Sequence, residues 1–343
     1  MLRPLQQVLV YALMSTAGLC AYAQGQSLPF ANTDISVFST YPSNQVLARC
    51  KQTVAAKECV EDSIAPDVFV KALSSRGWFN QVAAYNDTFD YELLIAHISG
   101  PTSTENRINA HHFTEVTVMW RGMEIDSTIV ENTFTQKEDN HKKAVTVLTE
   151  WFHYSQQNRL FTAAFLYSSL NASNYLDELD VPSTLGDFAR LDTQLYPDPF
   201  KGVITRYTHP EFAEALIDVT VYPILASLDH DNNDILIKQL NADWETAQAV
   251  AKHQSLSLSK QPEAARYQAN SKHTGWRLGI KAESPTQETI YATTYVFQQH
   301  DKIVKIATTF PSTQSDPIAN ALIAQIAVPE ESALMMQVRK LLK

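Results

Sequence analysis

The chain has 343 residues, 45% of them apolar, and a formal net charge of −10. That length fits about two domains of ~150 residues, each able to bury its own core. The acidic balance and the lack of any Lys/Arg-rich run exclude a nucleic-acid interface and argue against electrostatic docking on anionic lipid, both of which need a basic face.

Residues 1–23 read as a secretory signal. Arg3 gives a basic start, Val8 to Cys20 is mostly apolar, and Ala21-Tyr22-Ala23 is a small-x-small cleavage site. The apolar run is shorter than the ~20 residues needed to span a bilayer. Cleavage after Ala23 is expected, leaving Gln24 first. Lipidation at Cys20 is the alternative, although Leu19 stands where a lipoprotein signal has Gly or Ala. No later segment has ~18 uncharged apolar residues in a row, so no membrane span is expected. The predicted location is the periplasm or the exterior.

Without the signal, two cysteines remain, Cys50 and Cys59, separated by eight residues. In an exported chain an even count reads as a disulfide. A catalytic dithiol would more often be Cys-x-x-Cys.

Residues 24–34 form a polar leader, and Ile35–Tyr41 reads as a strand. Pro66–Ser75 has helical spacing and is stopped by Gly77. Residues 79–84, 89–98, 113–120 and 123–134 alternate as strands, with a turn at Arg121-Gly122. Residues 139–170 read as one long helix or two. Trp151, Phe152 and Phe165 on it are expected to be mostly core, with a partner or an apolar ligand as the alternative contact. The order helix, Gly77-Trp78-Phe79-Asn80-Gln81-Val82, then Asp90-Tyr91-Glu92-Leu93 resembles a unit of bacterial envelope proteins. Residues 65–98 are similar to the amino-terminal module of the Tol-system propeller protein and to outer-membrane transport lipoproteins. That resemblance implies an α/β module in envelope assembly or transport, with no catalytic residue to carry over.

Asn171–Gly186 is a polar connector and the expected domain boundary. Tyr196–Gly202 is turn-rich, 203–208 and 212–222 read as paired strands, and 234–253 as a helix. Strands are expected at 275–281, 289–298 and 302–308, a helix from Asp316-Pro317 to Ile326, and a short helix to the end. Tyr295–Ile306, a strand-turn-strand, followed by the 317–326 helix, resembles the photosystem extrinsic P-subunit family. Over 196–326 that resemblance implies an α-β-α sandwich that binds partners and is largely non-enzymatic.

Several clusters are candidates for chemistry. His111-His112 with Glu115 could ligate zinc, but neighbouring strand residues point to opposite faces and the His-Glu-x-x-His spacing is absent, so the cluster reads as a polar turn. Asp229, Asp231 and Asn233 match the alternating oxygen ligands of a calcium loop, but Asp234 replaces the turn Gly and Leu240 the bidentate Glu. The segment reads as an acidic helix cap, with calcium as the alternative. Arg206 and His209 are candidate contacts for an anionic ligand or partner, within a stretch that otherwise reads as a solvated hairpin. There is no Gly-x-Ser-x-Gly elbow and no phosphate-cradling loop.

The expected fold class is α+β, with two α/β domains, each a mostly antiparallel sheet packed with helices. The expected division is a signal (1–23), an N-terminal domain (24–175), a C-terminal sandwich (187–328) and a terminal helix (329–343). The expected function is an exported, non-enzymatic envelope protein that binds a protein partner or aids assembly or transport. The alternatives are an exported hydrolase with a non-contiguous active site and a carrier of a small apolar ligand between the domains. No cofactor is expected.

Overall fold

The computed structural model describes residues 29–54, 59–61, 64–100, 109–135, 137–228, 233–285 and 287–342. They pack as two compact units, within Ala21–Leu170 and Asn171–Lys343. Both combine helices with a mostly antiparallel sheet, so the fold class is α+β.

The first unit runs β1 (Phe30–Ser39), α1 (Asn44–Val54), β2 (Val60–Glu61), α2 (Pro66–Arg76), β3 (Phe79–Ala84), β4 (Tyr91–Ser99), β5 (Asn109–Trp120), β6 (Met123–Thr135), α3 (Asn140–Gln157) and α4 (Ala163–Ser169). Its sheet has the order β3-β1-β4-β5-β6, with β2 also paired to β4. β1 is parallel to both neighbours, whereas β4, β5 and β6 form an antiparallel meander. Local chemistry sets the boundaries. Pro66 opens α2 and Gly77, at φ 60°, closes it. Arg121 and Gly122 both have positive φ, as a tight two-residue hairpin requires. Asp139 caps α3 by accepting from the His141 and Lys142 amides. The 139–170 stretch is two helices: Arg159 turns left-handed at φ 56° and Thr162 caps the second.

Alternation along β5 sends Val116, Val118 and Trp120 to one face and Phe113 and Glu115 to the other. α3 lies on the first face, where Tyr154 and Glu150 reach β6. α1 lies on the second, with Val46 and Cys50 buried against Ile98 and Phe113.

The second unit runs α5 (Tyr175–Glu178), β7 (Thr184–Leu185), β8 (Phe188–Leu195), β9 (Val203–Thr208), β10 (Leu216–Pro223), α6 (Asn233–Gln254), β11 (Ser257–Lys260), β12 (Ala265–Gln268), β13 (Thr274–Ser284), β14 (Gln287–Gln299), β15 (Lys302–Thr308), α7 (Ser312–Ile323) and α8 (Ala333–Leu341). Its antiparallel sheet has the order β11-β13-β14-β15-β10-β9-β8-β7, with β12 also on β13. α6 covers one face through Leu240 and Ala247, packed with Leu278, Val296 and Ile303. α7 lies against the other, where Asp316 takes hydrogen bonds from Tyr295 and Arg277. Gly279 is required by a close approach: a Cβ there would lie 2.0 Å from the Gln261 carbonyl oxygen.

Several elements differ from the sequence reading. α1 occupies 44–54, a stretch to which no element was assigned. β8 precedes the 196–202 turns, and β11 and β12 precede β13. α7 begins at Ser312, so Pro317 sits inside the helix and does not open it. Among the described residues, no helix is long and apolar enough to cross a membrane.

Candidate functional site

A groove of about 430 Å³ lies between α1 and β6 of the first unit. Gln45, Ala48 and Gln52 form its helical wall, and Ser127, Ile129 and Glu131 its strand wall. α1 is held there by three devices. Buried Glu115 accepts the Ser43 amide at 3.0 Å and hydroxyl at 2.5 Å, and the Ser43 hydroxyl caps the Val46 amide at 3.3 Å. Cys50, fully buried, is joined to Cys59 by a disulfide. Arg49 pairs with Glu131 across the groove.

β6 is also an edge. It pairs with β5 along its length and with no other described strand. It is 13 residues long and carries Glu124, Asp126 and Glu131 but no Lys, Arg or Pro. On the α3 side, Asp126 accepts the Tyr154 hydroxyl at 2.9 Å, and Asn132 donates to Glu150 at 2.7 Å. Burial pushes the Asp126 carboxyl up, and the Tyr154 hydrogen bond opposes that shift. Asp126 Oδ2 and Asn132 Oδ1 are buried and have no partner among the described residues.

The aromatic residues singled out on 139–170 lie within the first unit. Trp151 is fully buried. Phe152 stacks on Trp78 at 4.0 Å, and Phe161 is a hub 4.7 Å from Phe30, 5.2 Å from Phe79 and 5.3 Å from Tyr91. Phe165 is half-buried on α4. Burial, aided by Asp90, pushes the Tyr91 phenol up to about 12. His111 is exposed and His112 buried, on opposite faces of β5. His112 Nδ1 lies 3.1 Å from His97 Nε2, whose other nitrogen meets the Thr114 hydroxyl at 2.6 Å.

In the second unit Arg206 and His209 are apart. Arg206 points to the α6 side and clamps buried Asp218 with two hydrogen bonds of 2.7 and 2.6 Å. Burial pushes the Asp218 carboxyl up, while Arg206 and Lys305 pull it down. Lys305 in turn pairs with Asp243 of α6 at 2.7 Å. His209 lies near Phe188 and Phe212, with ring centroids 5.2 and 4.9 Å away, and its Nδ1 accepts the Glu211 amide. Asp229 and Asp231 lie outside the described residues, and Asn233 is the first residue of α6. Among the described residues, no group of three or more His, Cys, Asp or Glu is gathered to hold a metal ion.

The sequence reading missed the strongest charge cluster. Fully buried Lys302 donates to Asp301 and to the Glu330 carbonyl at 3.2 Å. Arg339 of α8 donates to Asp301 at 3.1 Å and to the Ile224 carbonyl at 2.7 Å, and pairs with Glu331. The available clue was a charged pair, Asp301-Lys302, opening a strand whose next residues are apolar.

No family model matches this chain, and no curated protein matches it. Among solved structures, it is similar to the solution structure of cyanobacterial PsbP (CyanoP) from Synechocystis sp. PCC 6803. That likeness has 10% identity and a TM-score of 0.26, over 44% of this chain and 92% of the other. A superposition so loose assigns neither fold nor role, and the architecture of this chain rests on its own strand pairing.

Proposed function

We propose that this chain is an exported, non-catalytic protein of the bacterial envelope, and that it binds a protein partner at the α1–β6 face of its first unit. The observation that carries the reading is the 13-residue edge of β6 beside an open groove. Unpaired strand edges present rows of amides and carbonyls to other chains, and native sheets ordinarily shorten or block them. The nine-stranded sheet does so: β7 has two residues, and β11 and β12 four each. β6 is long and carries no proline.

Export is supported by the amino-terminal signal pattern and by the disulfide, which persists in oxidising compartments. The bridge also serves the site, since it ties down the helix that forms one groove wall. The buried charged residues of the second unit are engaged in ion pairs, which suits a scaffold.

The test is a photo-crosslinking amino acid placed at Thr128 in the exported protein, with Glu263 of the second unit as the control site. A discrete envelope-protein adduct at Thr128 alone is expected. Equal adducts at both sites, or none at Thr128 across growth conditions, would refute the reading.

A further inference from the structure

We infer that the outer edge of β6, which pairs with no other described strand, accepts an extended, lysine- or arginine-bearing segment of the partner as an added strand of the first sheet. This deepens the partner-binding reading and rests on it. Three observations converge on the occupant. First, β6 offers a continuous edge, so main-chain hydrogen bonds can recruit an extended segment.

Second, its charge has one sign. Glu124 and Asp126 stand on the strand with no basic residue among them, Glu150 of α3 lies beside Asn132, and Glu131 is already paired with Arg49. Opposite charges on neighbouring strands attract, and like charges repel, so a basic segment fits and an acidic one does not. Third, two buried acceptors on this strand, Asp126 Oδ2 and Asn132 Oδ1, have no partner among the described residues. A buried acceptor without a donor is costly. Two cationic side chains on the α3 face of an added strand, spaced as Asp126 and Asn132 are, would bring one donor toward each.

Strand alternation then fixes the pattern of the ligand. Residues facing α3 would be basic. Those facing α1 would meet Ser127, Ile129 and Gln52 and be small or apolar.

The experiment uses the full chain and fluorescent peptides that alternate lysine with threonine and valine. A matched peptide carries glutamate in place of lysine. Two further lysine peptides are N-methylated on alternate residues, one set on each edge. Fluorescence anisotropy should show binding of the lysine peptide, weakening as salt rises, and at least tenfold weaker binding of the glutamate peptide. One methylated set should bind at least tenfold more weakly than the other, because only one edge of the added strand faces β6. Asp126→Asn should weaken binding about tenfold. Glu150→Gln, at an exposed side chain of α3 outside the Tyr154 contact, should weaken it as a second variant, and Glu263→Gln should not.

Equal binding of the glutamate peptide, or of both methylated sets, would overturn the inference. An adduct between Thr128 residues of two copies would also overturn it, in favour of self-association. If the peptides fail while Thr128 still crosslinks an envelope protein, the partner-binding reading stands and only the basic-strand chemistry falls.

Discussion

Asp301→Asn is the sharpest test of what holds the second unit together. The Asp301 carboxylate, 2% exposed, neutralises two cations: Lys302, 0% exposed, and Arg339, 7% exposed. The substitution keeps the volume but removes the charge and turns an amide toward a cation. Breaking a buried ion pair by removing one partner costs about 3–5 kcal/mol, because the other charge is left in a dry interior. Lys302→Met behaves differently. It removes a cation, leaves Asp301 paired with Arg339, and should cost only about 1–2 kcal/mol. The double variant should therefore be less destabilised than the sum of the two single changes. In urea, with m of about 2 kcal/mol/M, Asp301→Asn should lower this unit's midpoint by about 1.5–2.5 M. Trp244 and Trp276 report this unit, whereas Trp78, Trp120 and Trp151 belong to the other. Fluorescence with the latter three replaced by Phe isolates the transition. A midpoint shift below about 0.5 M, or a Lys302→Met variant as unstable as Asp301→Asn, would refute the argument from buried, unequal charge.

Three further outcomes are expected. Reducing the Cys50–Cys59 bridge, which spans nine positions, should destabilise the first unit by about 2–3 kcal/mol on the chain-entropy account, seen as a lower urea midpoint in dithiothreitol. Gly279→Ala should cost about 3 kcal/mol or more, because the new Cβ meets a backbone oxygen that cannot rotate away, and thermal melts will read it. Asp218 has a raised folded pKa, so its contribution is fully present below pH ~3.9 and is lost as pH rises through the folded value. Arg206→Met removes a group that lowers that value. It should steepen the loss of thermal stability on going from pH 4 to 7, whereas Asp218→Asn should flatten it. Parallel Tm–pH curves for the two variants would contradict this.

The strands that alternate over apolar positions were legible: 113–120, 123–134 and 302–308 lie in observed strands, and 89–98 starts two residues before β4. So was α2, with Pro66 and Gly77 at its ends. α1 was not, because Asn44–Val54 buries only a narrow stripe through Val46 and Cys50. β8 was missed because most of its side chains are exposed, which leaves no hydrophobic alternation to read. Pro317 misplaced the start of α7: Pro is best tolerated in a first turn, yet here tertiary packing carries the helix through it. The site was the least legible part. Arg206 and Asp218 meet only through the β9–β10 register, and the groove exists only once α1 docks on the sheet.

The register of the second sheet has a consequence for timing. β10, at 216–223, is completed by β15, at 302–308, and the Lys302 ammonium donates to the Glu330 carbonyl, while Arg339 shares its Asp301 partner. Pairings this distant in sequence are slow to form, since a long loop must close before any contact rewards it. A chain emerging residue by residue therefore cannot finish this core until residues 330–339 are free. Up to that moment β10 lacks its neighbour, and a lysine destined for burial stays in water. For a protein threaded unfolded across a membrane, as the proposed export requires, such delay keeps the polypeptide loose while it must still pass through the pore.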